Sequence, residues 1–381
     1  MEVKRKLSEF LKRETVLTVA ILLAIVSAVM IPPDREYAGY IDFRTLSILF
    51  CLMTVMAGLQ KLGVFRNIAK TLLRHTQNTI QLAEVLVLLC FIFSMIITND
   101  VSLITFVPFT FIVLRLTGEE AVKKLAVPVI VLQTIAANLG SMLTPIGNPQ
   151  NLYLYGKTQM SAGAFVLLML PYSLVSLLLL MICGVIVAKR SGIEVRGAEV
   201  LLTEDEKLEQ KKYLLPAYLL LFVLCLLTVA HMIPYPVTLV TVALAVLLLD
   251  RGTIIKVDYS LLLTFVGFFI FIGNMGRMPA FCDFLQKIIG GREVMTAVIA
   301  SQVISNVPAA LLLSGFTENI TALIIGTNLG GLGTLIASMA SLISYKQVAR
   351  QIPGEKKKYF GWFTIANIVF LMILVLENCL L

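Results

Sequence analysis

The 381 residues carry 58% hydrophobic against 14% charged side chains with a net charge of +8, and their mean hydropathy of +0.92 lies far above globular usage. Apolar runs recur from Thr15 to Glu377 with no polar stretch longer than roughly 25 residues, which leaves no room for a separate catalytic or nucleic-acid-binding domain. A soluble enzyme, a secreted disulfide scaffold and a nucleic-acid binder are excluded, and the positive charge reads as membrane topology.

In chain order, Met1 to Glu14 carries Lys4, Arg5, Lys6, Lys12 and Arg13 ahead of an apolar run over 15–31 that Pro32 and Pro33 end. No small-residue cleavage site follows, so 1–40 reads as an N-terminal tail and a retained first transmembrane helix, with the N-terminus in the cytoplasm. A spanning helix takes about 20 residues, and the runs 44–62, 125–154, 160–188, 213–249, 258–275, 318–345 and 359–378 qualify. The run 213–249 is too long for one crossing. His231-Met-Ile-Pro-Tyr-Pro236 in its middle predicts a tight turn between two helices.

Two stretches do not fit full crossings. In 84–116 the apolar segments 85–97 and 101–116 flank Thr98-Asn99-Asp100, and thirteen residues of helix reach only about 20 Å. This predicts a re-entrant helical hairpin that turns at mid-depth, and 294–317, interrupted by Ser305-Asn306-Val307-Pro308, has the same form. With each hairpin returning to its own side, all Lys and Arg residues except Arg35, Arg44, Lys157, Arg277, Lys287 and Arg292 fall on the cytoplasmic side. The stretch 189–212, with six basic and six acidic residues, reads as a solvated cytoplasmic linker between the halves.

The halves resemble one another. Ile41-Asp42-Phe43 matches Val257-Asp258-Tyr259, Ile97-Thr98-Asn99 matches Ile304-Ser305-Asn306, and 138–155 matches 328–345 at seven of eighteen positions. The helix after Asp42 runs inward and the helix after Asp258 outward, so the expected fold is an all-α polytopic membrane protein of two inverted-topology repeats, 41–188 and 213–381. Each holds a re-entrant hairpin and a broken transmembrane helix, over 125–154 and 318–345. Such repeats with glycine-interrupted polar segments point to a secondary transporter and to its midplane site. Pro145 and Pro149 remove amide donors beside Gly140 and Gly147, and Gly330, Gly331 and Gly333 loosen the second segment.

Unpaired backbone groups at membrane depth survive only where they face protein or a watery cavity, so the two breaks are expected to border one chamber. Thr98, Asn99, Thr144, Asn148, Ser305, Asn306 and Thr334 are the expected substrate-binding residues. Asp100, with Asn99, Asn138, Gly140, Asn306, Asn328 and Gly330, is the expected coupling-ion site, because a carboxylate inside the membrane binds a cation or takes up a proton. Close helix packing by small residues is the alternative role for the Asn-Leu-Gly segments. Glu84 and Glu318 read as interfacial or capping residues, and His75 and His231 as solvated or locally bonded. The six cysteines are scattered singly and read as packing residues.

At these residues the chain resembles the ion-transporter superfamily of divalent anion/sodium symporters, citrate transporters, arsenical-pump permeases and certain sodium/proton antiporters, over about residues 40 to 378. The symporters' hairpins carry Ser-Asn-Thr tips that bind carboxylate and sodium. Asn99 and Asn306 match directly, and Thr98 and Ser305 match as hydroxyl equivalents. Each tip here lacks the final Thr, and the first has Asp100 instead, as in the arsenical-permease branch. The resemblance implies an elevator-like motion against a homodimeric scaffold. The expected function is secondary transport of a small anionic solute, of carboxylate or oxyanion type, coupled to Na⁺ or H⁺ across the cell (inner) membrane, with no cofactor beyond a bound sodium ion. The alternatives are a Na⁺/H⁺ antiporter or arsenite efflux permease and, more distantly, an ion channel. Neither HExxH nor GxSxG nor a P-loop occurs, so no enzyme activity is expected.

Overall fold

In a computed structural model the described residues are 14–194 and 212–381. The basic N-terminal tail before Glu14 and most of the linker 189–212 lie outside them. The described residues form helices and no strand, as backbone without water must satisfy its own hydrogen bonds. These are α1 (Thr15–Met30), α2 (Phe43–Lys61), α3 (Val64–Leu73), α4 (Thr79–Ile97), α5 (Asn99–Thr117), α6 (Glu119–Ser141), α7 (Pro149–Gly156) and α8 (Ala162–Ser191). After the linker come α9 (Leu215–Val229), α10 (Tyr235–Leu249), α11 (Tyr259–Gly276), α12 (Pro279–Ile289), α13 (Glu293–Ile304), α14 (Asn306–Leu313), α15 (Ile320–Leu329), α16 (Met339–Gln351) and α17 (Lys356–Leu380). Seven helices (α2, α4, α5, α6, α8, α11 and α17) are long and apolar enough to cross a membrane.

Large apolar side chains such as Leu22, Leu178, Leu220 and Ile365 point outward, the arrangement expected where lipid is the solvent. The inverse holds for α6, which is buried along nearly its whole length and is packed by α4, α5, α8 and α17. The helix pair α13/α14 packs on α15, with α14 also on α7, while the pair α4/α5 packs on this centre. A second group, α2 with α9 and α10 and α11 with α1, flanks it. A partly buried ion pair fastens the flanking group, with Lys61 Nζ donating to Asp250 Oδ1 at 3.0 Å while Thr253 Oγ1 and Tyr218 OH donate to Asp250 Oδ2. The extra donors offset the cost of burying the carboxylate.

The long run at 213–249 divides as expected, with His231 in the left-handed region at φ 62° and Tyr235 and Pro236 opening α10. The first hairpin differs from expectation in length. Asn78 caps α4 by accepting from Gln81 N at 3.0 Å, so that helix begins at Thr79, and α5 begins at Asn99. Each arm has 19 residues and is long enough to cross. The apolar run underestimated the arms because Thr79, Gln81 and Glu84 lie in the first turns, where polar side chains reach the interface. In the second hairpin α13 and α14 have 12 and 8 residues, or about 18 and 12 Å, and the length argument applies there.

Candidate functional site

The site is built where the two helix pairs turn and the two long helices break. Thr98 turns α4 into α5 with φ 74° and ψ 153°, and Ser305 turns α13 into α14 with φ 75° and ψ 155°, a region that L-residues other than glycine seldom occupy. Each turn is held by the break of its own half. Asn99 N donates to Gly147 O at 3.1 Å, and Asn306 N to Ala337 O at 2.9 Å. Asn99 Oδ1 accepts from Asp100 N at 2.9 Å, and Asn306 Oδ1 from Val307 N at 3.0 Å.

The breaks span 142–148, between α6 and α7, and 330–338, between α15 and α16. They repeat the same devices. Gly147 N donates to Thr144 O and Ala337 N to Thr334 O. Thr144 Oγ1 donates to Met95 O, and Thr334 Oγ1 to Gln302 O. A Cβ on Gly140 would lie 2.0 Å from Phe91 O and 2.5 Å from Ser94 Oγ, while one on Gly330 would lie 2.7 Å from Ser301 Oγ. These two glycines therefore let the broken helices press against the hairpins, so the small-residue packing role applies to both. The helices that flank the centre also match, since Asp42 accepts from Thr45 N and Asp258 from Leu261 N, both at 2.9 Å.

The two breaks meet. Asn138 Oδ1 accepts from Asn99 Nδ2 at 3.2 Å and from Ser338 Oγ at 2.9 Å, while its Nδ2 donates to Gly331 O and Ser341 Oγ. On the other side Asn148 Nδ2 donates to Asn328 Oδ1 at 3.0 Å, and Asn328 Nδ2 donates to Asn151 Oδ1 at 2.6 Å. All of these amides are buried. The packing is reciprocal too, because α7 lies on α14 and α16 lies on α5.

A cavity of about 180 Å³ opens beside the first tip. Thr98, Asp100 and Asn148 line it, together with Gln60 of α2 and with Lys256 and Asp258 just before α11. Asp100 Oδ1 is buried without a hydrogen-bond partner among the described residues. Of the expected substrate residues, Thr98 and Asn148 face this cavity, Asn99 and Asn148 join the buried amide network, and Ser305 and Asn306 are buried in the second turn, where they bond locally and to Ala337 O. Of the expected coupling-ion residues, Asp100 lines the cavity, and Asn138 and Asn328 belong to the amide network. Thr144 and Thr334 do not join either group, since their hydroxyls are spent on hairpin carbonyls, and Thr334 is exposed.

Three residues that sequence reasoning passed over are structurally central. Gln302 Nε2 donates to Gly330 O at 3.0 Å and Leu332 O at 2.9 Å, and its Oε1 accepts from Thr334 N at 2.8 Å, so one side chain satisfies the second break. Asn151 Nδ2 serves the first, reaching Ser141 O, Met142 O and Thr144 O. Asp258 brings a second carboxylate to the Asp100 cavity. Gln302 carried a signal, as an amide three residues before Ser305 in an apolar run.

A family model described as Citrate transporter matches residues 7–322. An uncharacterised transporter of Methanocaldococcus jannaschii is 30% identical over 361 residues, covering 94% of each chain. Inner membrane protein YbiR of Escherichia coli is 32% identical over 340 residues, covering 86% of each. A silicon efflux transporter of Oryza sativa subsp. japonica is 32% identical over 157 residues, covering 40% of this chain and 31% of that one.

Proposed function

The chain belongs to the citrate transporter family, and on that premise we propose that this multi-pass membrane transporter moves a small anion or oxyanion by secondary active transport, coupled to Na⁺ or H⁺. The observation that carries the reading is Asp100, a carboxylate at a hairpin tip with a buried oxygen lacking a partner, on a cavity beside the amides that join the two halves. A carboxylate so placed is stabilised by a cation or a proton, which makes it the coupling site. Helices α5, α7, α14 and α16 all begin at the tips and breaks, and their N-terminal partial charges favour an anion without any buried Arg.

The matched tip angles, tip-to-break bonds and glycine contacts support two repeats. The exchange of partners between halves suits the inverted relation, with the tips re-entrant. In this reading α4–α8 and α13–α17 move as the carrier, elevator-fashion, against a dimeric scaffold that includes α2 and α11. The positive-inside count favours a cytoplasmic N-terminus, and the similarity to an inner membrane protein favours the cell membrane.

The test uses the full chain in proteoliposomes on a solid-supported membrane, challenged with citrate, succinate, sulfate, arsenite and silicate, the last because of the silicon efflux relative. Substrate-dependent current that requires a Na⁺ or pH gradient is expected for at least one anion. Silence for every solute together with Na⁺/H⁺ exchange would replace this reading with antiport, which the convergence of Asp100 and Asp258 on one cavity favours as the second reading.

A further inference from the structure

A groove of about 580 Å³ lies between α6, α8 and α17, remote from the tips. Its polar end holds Lys123 and Lys124 near the start of α6, Arg190 in the last turn of α8 and Lys358 in the first turn of α17. No carboxylate lines it. Lys124 pairs with Glu120 at 3.5 Å and Lys358 with Glu355 at 3.0 Å. Neither Lys123 nor Arg190 has an acidic partner among the described residues. Past the cations the walls turn apolar, with Ile186 on α8 facing Trp362, Ile365 and Val369 on α17. Trp362 and Ile365 remain 43% and 69% exposed.

We propose that this groove binds an anionic phospholipid, its phosphate between Lys123 and Arg190 and an acyl chain along Trp362, Ile365 and Val369. Cations clustered at one end of an apolar trough between transmembrane helices match the shape and charge of such a lipid. The N-terminal ends of α6 and α17 add positive partial charge at the same level. A soluble anion leaves the apolar wall uncovered. A second copy of the chain docked symmetrically through this groove brings its own Lys123, Lys124, Arg190 and Lys358 against these, a like-charge contact. Aromatic side chains at the level of the headgroups are the usual neighbours of such a site.

Trp362 is the chain's one tryptophan, so its fluorescence reports on the groove directly. The full chain is placed in phosphatidylcholine vesicles in which the mole fraction of brominated phosphatidylglycerol, or of brominated phosphatidylcholine, is raised stepwise. Brominated phosphatidylglycerol should quench at a several-fold lower mole fraction. Lys123→Gln and Arg190→Gln should each reduce that preference about fivefold, the factor that one cation beside an anionic lipid contributes. Both side chains are exposed, so folding persists, and an unchanged melting temperature verifies it. Equal quenching by the two lipids, or a preference untouched in the double variant, overturns the proposal. Loss of the preference on adding millimolar inorganic phosphate would overturn it in favour of a soluble anion, and quenching by neither lipid with Trp362 cross-linked to a second chain in favour of a protein contact.

Discussion

Asp100 is the second residue of α5, where its backbone amide is bonded to Asn99 Oδ1 and one side-chain oxygen is left bare in a cavity. Asp100→Asn keeps the shape and removes the charge, so gradient-driven uptake in proteoliposomes should fall at least about tenfold, the effect of losing 1.4 kcal/mol of ion affinity. Unaltered uptake would remove it from the coupling. Gly140 has a different task. Gly140→Ala drives a methyl into the Phe91 carbonyl and should cost about 1–3 kcal/mol in a detergent melt, whereas Gly361→Ala in α17, with nothing within 4 Å, should gain roughly 0.5–1 kcal/mol. Outside the spans, the Arg277 guanidinium holds the Asp34 carboxyl below its usual range. A lowered folded pKa stabilises above the ordinary carboxylate value and is lost as the pH falls through the folded one. Asp34→Asn should therefore flatten the acid limb of the melting temperature slightly, the pair being exposed. Asp100 was legible because one acid interrupts a long apolar stretch. Asp258 was not, since an Asp before a helix reads as a cap, and it is one, accepting from Leu261 N while also facing the cavity.

Among the elements, the hairpin turns invite the sharpest test. Thr98 and Ser305 hold a backbone shape open mainly to glycine, at about 1–3 kcal/mol each. Thr98→Gly and Ser305→Gly should raise thermal stability by about 1 kcal/mol, net of the extra freedom of the unfolded chain, while slowing transport because the tip loses its fixed direction. A fall in stability would mean that the hydroxyls hold the turns. The amide bridge between α7 and α15 should show as non-additivity, with Asn148→Ala and Asn328→Ala each costing about 1–3 kcal/mol and the pair less than the sum. The interruptions of both long helices were readable from Pro145, Pro149 and the Gly330–Gly333 cluster. The reach of α4 was not, because its first turn is polar and its start depends on the Asn78 cap, which hydropathy does not register.

At the scale of the molecule, the charge count separates Lys124 from Arg292. In a cysteine-free background, Arg292→Cys should react with an impermeant maleimide on intact cells, and Lys124→Cys only after the cells are opened. Reaction of Lys124→Cys but not Arg292→Cys from outside would invert the topology, and reaction of both would dissolve it. The resemblance between the halves was visible in sequence at only a handful of positions, because backbone angles and hydrogen bonds such as Asn99 to Gly147 and Asn306 to Ala337 constrain geometry more tightly than identity. How the halves meet was beyond reach, since the bonds of Asn138 and Asn328 join residues about half the chain apart.

The crossed packing of α7 on α14 and of α16 on α5 has a mechanical corollary. Each door of the vestibule is braced by the opposite wall, so neither swings on its own hinge: to pull one tip outward is to tug the other half's broken strut with it. On the proposed secondary-transport reading such an interlock would work as an airlock does, guarding the ion gradient against a moment when both doors stand ajar.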